Sequence, residues 1–282
     1  GNLVTTLTGT AAEIAAAATL DANGTTTLKA DFGATVDAGA VNASDLNTIS
    51  ARTTATIDAT AATAINGSAA DVATALADTQ ISHDSDFNVT LTATSAAATA
   101  ITAIDAATTK VVDGNLVTTL TGTAAEIAAA ATLDANGTTT LKADFGATVD
   151  VGAVNASDLN TISARTTATI AATNATAING TATEVATALA DTQISHDDNF
   201  TVTLTNNSTA TAAELIAINA ATTKSVTATG VTAITGSISD INSILAVETS
   251  QGNAGQQIDL DTNFTVTVTD TGSVAATTLT TL

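Results

Sequence analysis

The chain has 282 residues, 45% of them hydrophobic, with no Trp, Tyr, Met, Cys or Pro and only 5 Phe, so its apolar content is mostly Ala, Val, Ile and Leu. Six basic residues against 27 acidic ones give a net charge of −21, which excludes a nucleic-acid partner, since a phosphate backbone needs clustered Lys and Arg, and argues against docking on anionic lipid. Without Cys there are no disulfides and no thiolate chemistry, and no apolar run is long enough for membrane insertion.

The first predicted element is built on Leu7-Thr8-Gly9-Thr10-Ala11-Ala12-Glu13-Ile14, which returns at Ile65, Leu120, Ile178 and Ile234. Successive starts differ by 58, 55, 58 and 56 residues, and residues 1–37 recur unchanged as 114–150. Self-similarity at this period is the signature of a tandem array, in which each unit buries its apolar face against the next. The division is 1–113 (half-units 1–58 and 59–113), 114–226, and a partial third repeat at 227–282. Gly1-Asn2 matches Gly114-Asn115, so the chain reads as a window on a longer polypeptide or a processed product.

Each copy opens on a short strand (Val4–Leu7, Thr63–Ile65, Val117–Leu120, Thr176–Ile178, Val231–Ile234) that runs into the glycine, expected to make a turn. A helix follows. The pairs Thr10/Glu13, Ser68/Asp71, Thr123/Glu126, Thr181/Glu184 and Ser237/Asp240 have the spacing of a capping box, where hydroxyl and carboxylate satisfy the orphan amides of the first turn. Alternating runs such as Asn88–Thr92, Thr201–Thr205 and Thr265–Thr269 then read as half-buried strands. A second helix begins around Asn42–Asp45 and carries Leu46 and Ile49; its counterparts carry Ile101 and Ile104, Leu159 and Ile162, and Leu215 and Ile218. Closing strands follow at Thr56–Asp58, Lys110–Asp113 and Thr169-Ile170. Phe32, Phe87, Phe145, Phe200 and Phe264 all stand just before a strand, which predicts a packing column inside the array.

Few residues suggest chemistry. His83 and His196 are one position seen twice, and each precedes an acidic loop. Asp84 and Asp86, Asp197 and Asp198, and Asp259 and Asp261 are the candidate calcium ligands, since calcium takes oxygen ligands from carboxylates and carbonyls. Asp37, Asp58, Asp113 and Asp150 read as solvated turns. Thr25–Thr27, Thr90/Thr92, Thr203/Thr205 and Thr265/Thr267/Thr269 are candidates for a regular outward ladder, of the kind an ice-binding surface uses. No Ser, His and acid combination is unique, and a tandem copy would duplicate any site, so the chain is expected not to be an enzyme.

With LTGTAAEI, INGSAADV, the ASDLNTI helix and the TTATIDA and TTKVVD strands in view, the chain resembles the Ala/Thr/Asp-rich tandem arrays of large secreted or cell-surface proteins, haemolysin-type or adhesin-like, of cyanobacteria and other aquatic bacteria. The resemblance spans essentially all residues and implies an extracellular or cell-surface location with a structural or adhesive role. The expected fold is an α/β repeat solenoid of about ten strand-plus-helix coils with a stacked parallel sheet and right-handed crossovers. The expected function is that of a repeat segment in an extracellular filament, sheath or surface layer that self-associates, with divalent cations as further partners. The alternative is an adhesin or ligand-binding repeat module with a calcium-dependent, ice-binding or glycan-binding surface.

Overall fold

The computed structural model describes residues 4–205, 209–248 and 258–271. Residues 249–257, which belong to a segment expected from its sequence to be a polar loop, Glu248–Gln257, lie outside them, as do Leu279–Leu282. The chain is α/β and forms two compact units, the first holding residues up to Gly122 together with Ala129–Phe145, the second Thr123–Ala128 and residues from Gly146 onward.

In chain order the first unit contains β1 (Thr6–Gly9), α1 (Ala11–Ala22), β2 (Gly33–Val36), β3 (Gly39–Asn42), α2 (Ala43–Ser50), β4 (Ile57–Asp58), β5 (Ala62–Asn66), α3 (Ala69–Ala77), β6 (Ile81–Ser82), β7 (Val89–Thr90), β8 (Ser95–Ala97), α4 (Ala98–Ala107), β9 (Val112–Gly114) and β10 (Thr119–Gly122). After α5 (Ala124–Asn136), which both units share, it closes with β11 (Thr139–Leu141). All its strand pairs are parallel. One sheet runs β1-β2-β4-β6, with Ala34 opposite Ile57 and Ile57 opposite Ile81. Elsewhere β3 pairs with β5, β7 with β9, β9 with β11, and β8 with β10. Helices α1 to α4 pack each on the next.

The second unit contains β12 (Gly146–Val149), β13 (Gly152–Asn155), α6 (Ala156–Ser163), β14 (Ile170–Ala171), β15 (Ala175–Gly180), α7 (Ala182–Ala190), β16 (Ile194–Ser195), β17 (Thr201–Leu204), β18 (Thr209–Thr211), α8 (Ala212–Ala221), β19 (Val226–Ala228), β20 (Ala233–Gly236), α9 (Ile238–Leu245), β21 (Ile258–Leu260) and β22 (Thr265–Val268). Its parallel sheets are β12-β14-β16, β13-β15-β17-β19-β21 and β18-β20-β22. Helices α6 to α9 pack in succession.

The helices start where the capping pairs place them. Thr10 accepts the Glu13 amide at 3.3 Å while the Glu13 carboxylate accepts the Thr10 amide at 3.0 Å, and Thr123/Glu126 and Thr181/Glu184 repeat the reciprocal pair. Ser68 and Ser237 accept from the amides of Asp71 and Asp240. A sixth pair, Thr211/Glu214 at the start of α8, escaped the sequence reading although its spacing is the same. Leu46, Ile49, Ile101, Ile104, Leu159, Ile162, Leu215 and Ile218 are all buried, as their helical spacing predicts.

Two expectations change. The second helices, α2, α4, α6 and α8, are each entered directly from a strand that was not expected, Gly39–Asn42, Ser95–Ala97, Gly152–Asn155 and Thr209–Thr211. Segments of three or four residues have too few alternations to show a period. The landmark glycine is also not in a turn. Gly9 ends β1 with φ of 145°, a backbone that side-chain-bearing residues rarely adopt, and a Cβ there would lie 3.0 Å from the Glu13 carboxylate. The glycine therefore makes room for the capping acid at the strand-to-helix corner.

Phe32, Phe87, Phe145 and Phe200 are buried completely or nearly so, and Phe264 is half-buried. Three of them carry a second fixture that the sequence reading missed. The hydroxyls of buried Thr53, half-buried Thr108 and buried Thr222 donate to the carbonyls of Phe32, Phe87 and Phe200. The signal was present as a Thr doublet at one phase after the second helix, at Thr53-Thr54, Thr108-Thr109, Thr166-Thr167 and Thr222-Thr223.

Candidate functional site

Of the six aspartates read as candidate calcium ligands, five sit on loops and Asp259 sits on a strand. In the loop before Phe87, Asp84 and Asp86 are exposed, and Asp86 is ion-paired with Lys110 at 2.6 Å. The Ser85 carbonyl accepts the Thr109 amide at 2.8 Å. The matching loop before Phe200 has exposed Asp197 and Asp198, and the Asp198 carbonyl accepts the Thr223 amide at 2.7 Å and its hydroxyl at 2.9 Å. Asp259 lies on β21 opposite Thr227. Asp261 accepts the Asn263 amide at 2.7 Å, which closes an Asx turn. Among the described residues, no three His, Asp or Glu side chains gather as a group able to hold a metal ion.

The histidines have a packing role. Each imidazole stands edge-on to the phenylalanine four residues later, His83 to Phe87 and His196 to Phe200, both with centroids 5.3 Å apart. Their Nδ1 atoms lie 2.9 Å from the carbonyls of Asp84 and Asp197. Asp58 likewise closes a turn by accepting the Thr60 hydroxyl at 2.6 Å, and that bond first, then the Thr60 amide, holds its carboxyl below the ordinary 3.8.

The candidate threonine ladder is a mixed polar row. In the first unit, Asn42 lies opposite Asn66, the Asn66 Oδ1 accepts the Thr90 amide at 2.9 Å, Thr90 lies opposite Asp113, and Asp113 opposite Thr140. In the second, Asn155, Asn179, Thr203, Thr227 and Asp259 succeed one another. Thr25–Thr27 lie on no strand at all.

A shallow cleft of about 370 Å³ in the first unit is lined by Asp21, Leu28, Ala30 and Ala51–Thr54. Its charged groups engage one another, with Arg52 on Asp21 at 2.5 Å. The Leu28 amide, followed by Arg52, keeps the Asp21 carboxyl below the usual 3.8. A further polar knot occurs once in each unit. Ser50 donates to Asp78 while the Gln80 amide donates to Asp78 at 2.9 Å, and Ser163, Asp191 and Gln193 do the same. These knots tie the end of one helix to the end of the next. No helix among the described residues is long and apolar enough to cross a membrane.

Comparison with models of known protein families, with curated proteins and with solved structures gives no match.

Proposed function

We propose that this chain is a non-enzymatic structural segment, an α/β solenoid that builds an extracellular or cell-surface filament, sheath or layer by self-association. The observation that carries the reading is the strand register. Parallel neighbours come from successive passes of the chain, as with Ile57 opposite Ile81, and Asn179 opposite Thr203 at a separation of 24 residues. Such an arrangement grows by adding passes and leaves strand edges at its ends, which suits a component whose task is length and contact.

Half-buried polar side chains support the same reading. Hydroxyls and amides tie each pass to the next, as in Asn47 to the Asp71 carbonyl at 3.0 Å and Asn160 to the Glu184 carbonyl at 3.0 Å. In this proposal the acidic loops keep neighbouring molecules apart, and a divalent cation acts by bridging aspartates of adjacent molecules.

Electron microscopy of the native protein, with surface labelling of intact cells, tests the proposal. The expected result is filaments or sheets on the outside of the cell. A monomer found dissolved in the cytoplasm would sink it. Chelator is expected to loosen lateral association while leaving the melting temperature of the dispersed chain unchanged.

A further inference from the structure

The dipeptide Asn-Gly occurs four times, at Asn23-Gly24, Asn66-Gly67, Asn136-Gly137 and Asn179-Gly180. It has a chemistry of its own, because glycine carries no side chain to shield its amide nitrogen from the carboxamide beside it. The four dyads stand in two different settings. Asn66 and Asn179 are locked into parallel ladders. Asn66 lies opposite Asn42, and its Oδ1 accepts the Thr90 amide at 2.9 Å. Asn179 lies between Asn155 and Thr203, and its Oδ1 accepts the Thr203 amide at 3.0 Å. The glycines are held as well, since Gly67 donates to the Thr90 carbonyl and accepts the Thr92 amide, and Gly180 accepts the Thr205 amide.

Asn23 caps the C-terminus of α1, and Asn136 is the last residue of α5. Both are exposed, as are the glycines that follow them. Among the described residues no hydrogen bond engages either carboxamide. Gly24 and Gly137 have φ of 72° and 76°, and a Cβ built on either would meet nothing within 4 Å. Their amides close one turn each, Gly24 on the Asp21 carbonyl at 3.0 Å and Gly137 on that of Asp134 at 3.1 Å. The setting is the same at both copies, so it belongs to the segment rather than to its place in the chain.

We propose that Asn23 and Asn136 are sites of spontaneous hydrolytic modification, while Asn66 and Asn179 are protected by their ladders. Hydroxide takes the proton of the glycine amide, the nitrogen attacks the asparagine Cγ, and a five-membered succinimide closes as ammonia leaves. Water then opens either ring carbonyl to give aspartate or isoaspartate. One water enters for each ammonia lost, and nothing is oxidised or reduced. Ring closure requires the carboxamide to swing over the next amide. At a helix end that disturbs one turn, whereas in a ladder it breaks bonds to a neighbouring strand and must await local opening. The new carboxylate falls at a helix C-terminus, where negative charge is unfavourable. It also lies two residues beyond an acid that ties down the following segment, Asp21 accepting the Leu28 amide at 2.6 Å and Asp134 the Leu141 amide at 2.8 Å. Conversion therefore loosens that tie. This chemistry goes beyond the self-association reading and does not depend on it.

The test maps the intact chain by peptide mass spectrometry after incubation in warm, mildly alkaline buffer, beside the same chain in urea. In the folded chain Asn23 and Asn136 should convert at least about tenfold faster than Asn66 and Asn179, because the ladders react only from opened molecules. In urea all four should convert at similar rates. Equal rates at the four dyads of the folded chain would overturn the proposal. So would folded rates at Asn23 and Asn136 more than about tenfold below those in urea, since the turns would then be protected too. Asn136→Gln should abolish conversion at that position alone, because glutamine would have to close a larger ring. Hydrogen exchange reads the tie. The Leu141 amide should exchange faster in the aged chain and stay slow in the aged Asn136→Gln variant, and unchanged exchange in a converted chain would overturn the loosening.

Discussion

Residues 4–37 and 117–150 have one sequence and two structures. Both copies form the capping box at the helix start, and both bury their phenylalanine, Phe32 and Phe145, completely. The differences lie along one side. Val4 is exposed where Val117 is buried, Leu7 and Leu28 are half-buried where Leu120 and Leu141 are buried, and Thr26–Leu28 is irregular where Thr139–Leu141 is β11. A capping box needs four consecutive residues and is satisfied locally. A parallel strand needs a neighbour, because its amides and carbonyls are paired from outside the segment. Where β9 supplies that neighbour the sequence TTL is a strand; where none of the described residues does, it is not.

The comparison would break first at its buried valine. Val117→Asp places a charge in a closed apolar site and is expected to cost about 4 kcal/mol or more, whereas Val4→Asp should stay within about 1 kcal/mol as an exposed substitution. Urea unfolding of the two variants measures the gap, and equal losses would mean that the two copies are equally covered.

A smaller split is expected at the threonine. Thr139→Val removes a hydrogen bond to a carboxylate and leaves Asp105 without its donor, a loss of about 1.5–3 kcal/mol. Thr26→Val should change stability by less than about 0.5 kcal/mol. The double variant Thr139→Val with Asp105→Ala should show coupling, which a double-mutant cycle reads directly.

The caps should abolish the difference. Thr10→Ala and Thr123→Ala are each expected to cost about 1 kcal/mol, since both lose the same local hydrogen bonds. A large inequality between them would show that context reaches further into the helix start than local capping allows.

The smallest effect is with pH. The Thr10 amide, then its hydroxyl, holds the Glu13 carboxyl below the ordinary 4.5. At Glu214 burial pushes the other way but is outweighed by the Thr211 amide and the hydroxyls of Thr183 and Thr211, so it too is lowered. A carboxyl whose folded value is depressed contributes stability above its unfolded value and loses it as the pH falls through the folded one. The melting temperature is therefore expected to drop from about pH 5 toward about pH 3. Replacing Glu13 and Glu214 by Gln should flatten that slope in calorimetry.

Much was legible before any coordinates. The helix starts, the buried Leu and Ile of the second helices and the buried phenylalanines follow from patterns confined to a few adjacent residues or repeated at one phase. The strands leading directly into helices were harder. Ser95–Ala97 and Thr209–Thr211 have three residues each, and what makes them strands is their partners, β10 and β20. The candidate site fared similarly. Aspartates beside a histidine suggest a cation, yet Asp86 meets Lys110 from a later pass of the chain, and His83 turns its ring to Phe87.

By itself, then, the sequence determined the local chemistry: where each helix begins, which apolar residues share a face, and which carboxylates cap. These depend on bonds spanning three or four residues, and identical segments repeat them. Only the tertiary structure decided which strands exist, which polar row faces outward, and which copy of the 37-residue segment is covered. Parallel pairing joins residues some two dozen positions apart, so a segment carries one half of each ladder and its neighbour the other.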